Sequence, residues 1–423
     1  IVQLVQEGIV CESEIDNLVT PLLYYKFKLG LFEDPYVNPS EIKNDIKLQR
    51  DREIALQAAL ETITLLKNEK NLLPFSLKKK STIAVIGPNA NRVLLGGYSG
   101  QPTYYTTVLE GIKKKVGKKS KILYSEGCKI TIGGSWNEDT VTLPDPKQNK
   151  KLIKEAVATA KKADKVILVL GGNEQISREA WSKIHLGDRA NLELFGQQLD
   201  LVKEILKLGK PVVVMLFNGR PNSFQFISDN VPAILECWYL GQETGNAVAE
   251  VIFGDYNPSG KLPISIPRSV GHIPCFYNYK PSARRGYLFD DISPLYPFGY
   301  GLSYTKFKIS DVHLEKQTIK CGESTKVIFT IENTGRRNGA EVVQMYIHDE
   351  VSSVTRPVKE LKGFKKVFLK AGESKTLEIP IKSEHLAFTN INKEFKVEPG
   401  DFEIMIGNSS RDEDLVKVIL SVI

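Results

Sequence analysis

Val166-Ile167-Leu168-Val169-Leu170-Gly171-Gly172-Asn173-Glu174-Gln175-Ile176-Ser177-Arg178-Glu179-Ala180-Trp181-Ser182-Lys183 is the stretch on which the reading of the chain turns. Five consecutive apolar residues, β-branched or Leu, have the character of a strand buried on both faces in a parallel sheet, and two glycines end it. The loop that follows places two carboxylates, an Arg, a Lys and a Trp between Glu174 and Lys183, with Gly187-Asp188-Arg189 before a helical pattern resumes near Glu193. In open α/β sheets ligands bind in loops at the carboxyl ends of strands, so the loop is the first candidate site and Glu179 its central residue.

The same rhythm extends on both sides. Strand patterns occur at Ile83-Ala84-Val85-Ile86, Lys121 to Tyr124, Val212 to Leu216, Ala233 to Tyr239 and Leu262 to Ile266. Helical patterns lie at Leu48 to Lys67, Val108 to Val116, Lys150 to Lys162, Glu193 to Leu208 and Glu243 to Phe253. Alternating strands and helices predict an α/β sandwich over residues 45–270, a mostly parallel sheet with helices on both faces. From Ile309 the period changes to two. Short alternating runs at Lys326 to Ile331, Glu341 to Ile347, Lys365 to Leu369, Lys375 to Ile379 and Phe402 to Ile406 predict an all-β sandwich of immunoglobulin-like or fibronectin-like type over 309–423. Residues 271–308, closing on Leu295-Tyr296-Pro297-Phe298-Gly299-Tyr300-Gly301-Leu302-Ser303-Tyr304, form a connector. Residues 1–44 hold a helix with Ile15, Leu18, Val19, Leu22 and Leu23 on one side, then a proline-containing linker. That helix has nothing of its own to pack against. It reads as the last element of a domain whose body lies upstream of Ile1.

Composition narrows the function classes. Of 423 residues 42% are hydrophobic and 25% charged, an ordinary balance for a globular protein of two or three domains. The net charge of +7 sits partly in Lys78-Lys79-Lys80 and Lys113-Lys114-Lys115, runs without interleaved aromatics that read as solvated faces rather than nucleic-acid contacts. No stretch approaches the roughly 18 apolar residues of a membrane span. The five cysteines lack CxxC spacing and the five histidines are scattered, so no metal and no cofactor is expected.

Within the loop, Glu174 and Glu179 fit acetal hydrolysis, where one carboxylic acid protonates the leaving oxygen and a second carboxylate acts across from it. The same residues fit a solvated loop with ion pairs to Arg178 and Lys183. Trp181 is a platform for a sugar face or a core residue, and Asp188-Arg189 a structural ion pair or a substrate contact. Gly87-Pro88-Asn89-Ala90 and Gly96-Gly97-Tyr98-Ser99-Gly100 lack the glycine spacing of a phosphate cradle. They serve as a structural turn or a carbohydrate-lining loop, with Tyr98 the candidate contact. Asn218-Gly219-Arg220-Pro221 follows a strand and borders the same cleft.

Leu66-Lys67-Asn68 with Leu72-Leu73-Pro74, Ile83-Ala84-Val85-Ile86-Gly87-Pro88, Cys237-Trp238-Tyr239-Leu240-Gly241-Gln242-Glu243-Thr244-Gly245, Gly254-Asp255-Tyr256-Asn257-Pro258-Ser259-Gly260-Lys261-Leu262-Pro263 and Tyr296 to Tyr304 resemble the signatures of family 3 glycoside hydrolases. The likeness spans the chain in order and is strongest to the bacterial β-glucosidase and β-xylosidase branch. It implies a (β/α)8 barrel, an α/β sandwich and a fibronectin type III-like domain, of which this sequence holds the last two. It further implies a retaining mechanism with a barrel Asp as nucleophile and Glu179, or in reserve Glu174, as general acid/base. Trp181, Asp188 and Tyr98 would line the substrate site. The expected substrates are oligosaccharides or β-glycosides with terminal β-D-glucosyl or β-D-xylosyl residues. The expected partner is the barrel domain of the same protein, and the expected location periplasmic or extracellular. Alone, the chain is expected to be inactive. The competing expectation is a non-catalytic carbohydrate-binding or scaffold protein.

Overall fold

The computed structural model describes residues 1–42, 48–133, 136–283 and 285–423. The chain divides into compact units at 1–53 and 54–423. The expected boundary between linker and α/β domain at 44–45 lies outside the described residues. The first unit contains α1 (Val2–Gln6) and α2 (Glu12–Lys28). Helix α2 carries Glu12 and Glu14 in its first turn and Lys26 and Lys28 in its last, the polarity that the helix dipole favours. The Glu14 carboxylate accepts from Cys11 N at 2.9 Å. No residue of α2 is buried, and Leu18, Leu22 and Phe27 are 77%, 61% and 63% exposed.

The boundary between the units falls within α3 (Leu48–Thr62). Beyond it a six-stranded sheet contains β1 (Thr64–Asn68), β2 (Thr82–Ile86), β3 (Lys121–Ser125), β4 (Lys165–Gly171), β5 (Val212–Phe217) and β6 (Ala233–Glu236). Their spatial order is β1-β6-β5-β4-β2-β3, all parallel except β1, which runs antiparallel on β6. Every residue from Val166 to Leu170 is 0% exposed. Ile167 and Val169 join one core with α4 (Val108–Val116) and the helix α8 (Thr244–Phe253). Val166, Leu168 and Leu170 join the other with α5 (Pro146–Lys161), α6 (Gln198–Leu206) and α7 (Gln225–Asn230). At about 1.5–3 kcal/mol per fully buried side chain, this one strand is a large contributor to the stability of both layers.

Three sequence expectations shift. The helix expected to run to Lys67 stops at Thr62, because Leu65 and Leu66 pack into opposite cores, the alternation of a strand. The helix expected from Glu193 begins at Gln198, since Leu192 O accepts from Ser223 N at 2.8 Å and Glu193 bridges Ser223. Leu262 to Ile266 is no regular strand. It lies along the connector, with Leu262 N donating to Tyr300 O at 2.9 Å and Ile266 N to Tyr296 O at 2.7 Å.

Three further sheets follow among the described residues. One has the order β11-β10-β15-β16-β8, another β12-β9-β7, and the third is the two-stranded β13-β14; they are built from β7 (Phe307–Leu314), β8 (Thr318–Ile319), β9 (Thr325–Asn333), β10 (Gly339–Asp349), β11 (Glu360–Leu369), β12 (Ser374–Ile381), β13 (Phe388–Thr389), β14 (Phe395–Lys396), β15 (Gly400–Gly407) and β16 (Leu415–Val422). Strand β9 alternates strictly, with Val327, Phe329 and Ile331 fully buried against Val343, Met345, Ile404 and Ile406. The two folded layers are joined by polar contacts, several of them buried. Lys261 Nζ lies 2.7 Å from Glu341 Oε1 with side-chain exposures of 11% and 6%. Gln344 Nε2 donates to Gly299 O and Asn408 O, each at 3.0 Å. Asn257 Oδ1 accepts from Tyr304 N at 2.7 Å while its Nδ2 donates to Asn338 O at 2.9 Å. The Tyr277 ring stacks on Phe298 at 4.1 Å. Among the described residues no helix is long and apolar enough to cross a membrane.

Candidate active site

The chain leaves β2 in both directions, β3 pairing on one side and β4 on the other. That reversal splays apart the loops after β2 and β4 and opens a crevice at the carboxyl edge of the sheet. Tyr98 comes from the loop after β2, Trp136 and Asp139 from the loop after β3, and Glu179, Trp181 and His185 from the loop after β4. Together they line a depression of about 610 Å³.

The base of the β4 loop is fixed from below. Gln198, fully buried, accepts from Gly171 N at 2.9 Å and donates to Gly171 O at 2.8 Å. Asn89 Nδ2 donates to Gly172 O at 3.0 Å, and Asn173 Oδ1 accepts from Ile176 N at 3.1 Å. Glu174 turns away from the depression. Its Oε2 lies 3.2 Å from Arg92 Nη2 and its Oε1 accepts from Leu95 N at 3.2 Å, so this carboxylate ties the β4 loop to the β2 loop. Ser177 Oγ lies 3.3 Å from Tyr239 OH, a phenol raised above its ordinary value by burial.

Glu179 is exposed and lines the depression, and its carboxylate has no hydrogen-bond or ion-pair partner among the described residues. Ala180 N donates to Asp188 Oδ1 at 3.2 Å, so Asp188 closes the loop behind Glu179. Arg189 donates to Glu193 O at 2.6 Å and to Asn191 Oδ1 at 3.1 Å rather than to Asp188, and desolvation followed by the nearby Arg220 charge lowers its pKa. Gly187 is required by space: a Cβ there would lie 2.5 Å from Arg178 O and 2.5 Å from Glu179 C, main-chain atoms that have no room to yield.

Aromatic rings form two walls. Tyr98, 96% exposed, stands 5.3 Å from Trp136, which lies so close over Gly97 that a Cβ there would meet the indole at 2.0 Å. Trp181, 72% exposed, packs at 5.1 Å against His185, whose Nδ1 lies 2.9 Å from Asp139 Oδ1. An exposed carboxylate between exposed ring faces can deliver a proton to an oxygen on a ligand that stacks on those faces. The structure therefore brings Glu179, Trp181 and Tyr98 to one depression, puts Asp188 behind them and takes Glu174 out. Sequence reasoning missed Trp136, Asp139 and His185. They come from a separate loop or from a histidine with no patterned neighbour, and only the sheet order brings them together.

Beneath the site, Glu236 ends β6 with 0% exposure. Its Oε1 accepts from Trp238 N at 3.2 Å and Asn218 Nδ2 at 3.3 Å, while its Oε2 and Asn218 Oδ1 have no donor among the described residues. Burial raises its carboxyl from 4.5 to about 8, keeping it protonated near neutrality. Among the described residues no group of three or more His, Cys, Asp or Glu is placed to hold a metal ion.

Comparison with known proteins places this geometry. Residues 63–304 match the glycosyl hydrolase family 3 C-terminal domain, and residues 341–410 match a fibronectin type III-like domain. A β-xylosidase of Formosa agariphila is 44% identical over 96% of this chain and 55% of its own length. A periplasmic β-glucosidase of Salmonella typhimurium is 42% identical with the same coverages. The solved structure of a β-glucosidase from Erythrobacter marinus superposes with a TM-score of 0.92 at 38% identity, over 100% of this chain and 57% of that one. The chain spans about half the length of these relatives. With an α/β sheet that carries the family 3 match and an all-β sandwich behind it, the chain belongs to glycosyl hydrolase family 3 and comprises its C-terminal and fibronectin type III-like domains.

Proposed function

We propose that the chain is the C-terminal part of a retaining β-glycosidase that removes terminal non-reducing β-D-glucosyl or β-D-xylosyl residues. Glu179 is the general acid in the first step and the general base in the second. The nucleophile is an Asp in a (β/α)8 barrel of the same protein, of which residues 1–44 are the final helix and outgoing linker, followed by the α/β domain (45–270), the connector (271–308) and the β-sandwich (309–423). Trp181 and Tyr98 offer the ring faces on which the aglycone side of the substrate stacks, and Asp188 holds the loop. The chain by itself is inactive, because a double displacement needs two carboxylates about 5 Å apart across the scissile bond. The whole enzyme works in the periplasm or outside the cell.

The observation that supports this reading is the Glu179 carboxylate, exposed and free of partners among the described residues at the switch point of the sheet, between two aromatic walls. The apolar face of α2, which buries no residue and leaves Leu18 and Leu22 77% and 61% exposed, suits a helix made to pack on a barrel. The test is Glu179→Ala in a protein carrying the barrel. Hydrolysis of glycosides with poor leaving groups should fall about 10²–10⁴-fold, that of activated aryl glycosides much less, and added azide should yield a β-glycosyl azide. An equal loss for both leaving groups with no azide adduct rejects Glu179 as the acid. Saccharide binding that survives the substitution in a protein with no hydrolysis under any condition favours the non-catalytic binding module.

A further inference from the structure

Among the described residues Arg178 is the largest side chain buried to less than 2% exposure, and it makes no ion pair with a carboxylate. Among the described residues all of its side-chain hydrogen bonds go to main-chain carbonyls. Nε donates to Leu186 O at 2.9 Å, Nη2 to Asp139 O at 2.6 Å, and Nη1 to Glu138 O and, at 3.4 Å, to Trp136 O. A guanidinium offers five N–H donors in a rigid plane, and here four carbonyls from two separate loops converge on it. Its own carbonyl accepts from Arg220 Nη2 at 2.7 Å, which reaches across from the loop after β5. Burying a charge without a counter-ion is costly unless every polar contact is made. A structural site of this kind is most simply filled by an apolar side chain, so the guanidinium needs another explanation.

The geometry points to Arg178 as the positioning residue of the site: one buried guanidinium ties the loop of Trp136 and Asp139 to the far limb of the Glu179 loop, and thereby sets the proton donor between the two aromatic walls. The connection follows residue by residue. Arg178 precedes Glu179 in the chain, so fixing its side chain and its carbonyl fixes the peptide from which Glu179 projects. The carbonyls at 136–139 carry Trp136 on one wall and Asp139, the partner of His185 and through it of Trp181, on the other. Leu186 O fixes the returning limb, next to Gly187, which packs against the 178–179 peptide. Lys cannot substitute, since an ammonium has three donors and no planar fork.

This assignment rests on Glu179 being the proton donor, and two arms of the test keep the two claims apart. The first uses the chain as it stands. In Arg178→Met and, more weakly, Arg220→Met, amide hydrogen exchange should rise at least tenfold in residues 136–139 and 179–188 while the amides of β4 and β5 keep their protection. Unchanged exchange in both loops, or an equal rise throughout the sheet, overturns the clamp. The second uses the protein joined to its barrel. Arg178→Lys and Arg220→Met should lower kcat for poor leaving groups at least tenfold more than for activated aryl glycosides, with the KM for the activated substrates changed less than threefold. A uniform loss across leaving groups overturns it. Should Glu179→Ala show leaving-group dependence and the arginine variants none, the clamp alone fails. Should Glu179→Ala show none, the acid/base reading fails and the positioning claim falls with it, whatever the loops do. If Arg178→Met does not fold, Arg220→Met, which removes one bond from a half-buried side chain, decides both arms.

Discussion

Replacing Glu236 with Gln should make the protein's stability less sensitive to pH, in a direction and size set by one buried proton. In the folded chain the carboxyl titrates at about 8, because burial outweighs its hydrogen bonds from Trp238, Asn218 and Cys237; its ordinary value is 4.5. Between those values the unfolded chain releases a proton that the folded chain retains. The wild-type contribution is therefore fully present below about pH 4.5 and is lost as the pH rises toward about 8. At about 1.4 kcal/mol per pH unit, that interval sets a ceiling near 5 kcal/mol, and relaxation around the charged form lowers the expected change to about 2–4 kcal/mol. Gln has the same shape and no titration. The stability of Glu236→Gln minus that of wild type should thus grow by about 2–4 kcal/mol between about pH 5 and about pH 8.5, measured by guanidinium unfolding at matched ionic strength. Every other titrating group cancels in the difference. A difference constant to within about 0.5 kcal/mol across that range would refute the buried-proton assignment.

Gly187→Ala should cost about 1–3 kcal/mol in thermal unfolding, because the new methyl overlaps main-chain atoms of Arg178 and Glu179, and should reduce turnover in the barrel-carrying protein at least tenfold. Lys261→Met should lower stability by about 3–5 kcal/mol by leaving the Glu341 carboxylate buried without its cation, and Lys261→Met with Glu341→Gln should recover most of the loss. Asn333, fully buried, accepts from Thr305 Oγ1 at 2.7 Å and donates to Arg337 O at 2.8 Å and Leu369 O at 3.2 Å; Asn333→Leu should cost about 2–4 kcal/mol by stranding those partners, read from the melting temperature.

The parallel sheet was legible because its strands are buried on both faces, so Val166 to Leu170 is apolar without interruption. Strand β1 was not. Leu65 and Leu66 continue the spacing of α3 so well that only pairing with β6, a contact between residues far apart in sequence, distinguishes strand from helix. Strand β16 went unnoticed for the opposite reason: Leu415 to Val422 alternates only loosely, with Leu420 and Val422 buried and Val416 and Ile419 partly exposed. In the candidate site, Glu179 and Trp181 can be read together from the sequence because one loop carries them both. Trp136 and His185 carry no local signal. Glu174 has the same chemistry as Glu179, but its carboxylate is engaged by Arg92 and by Leu95 N, contacts between two loops that no local pattern shows. The Arg178 contacts are made to carbonyls, which every residue possesses, so no pattern of side chains could have announced them.

The seam between sheet and sandwich also limits what can be done with the molecule. Cutting the chain after the connector would strip Phe298 of the Tyr346 edge that meets it at 6.4 Å, and would leave Lys261 without Glu341 and Gly299 O without the amide of Gln344. The sandwich therefore cannot be exchanged like a cassette for another β-domain. A graft that keeps the sheet intact must reproduce the amide, the carboxylate and the aromatic edge at the same three places.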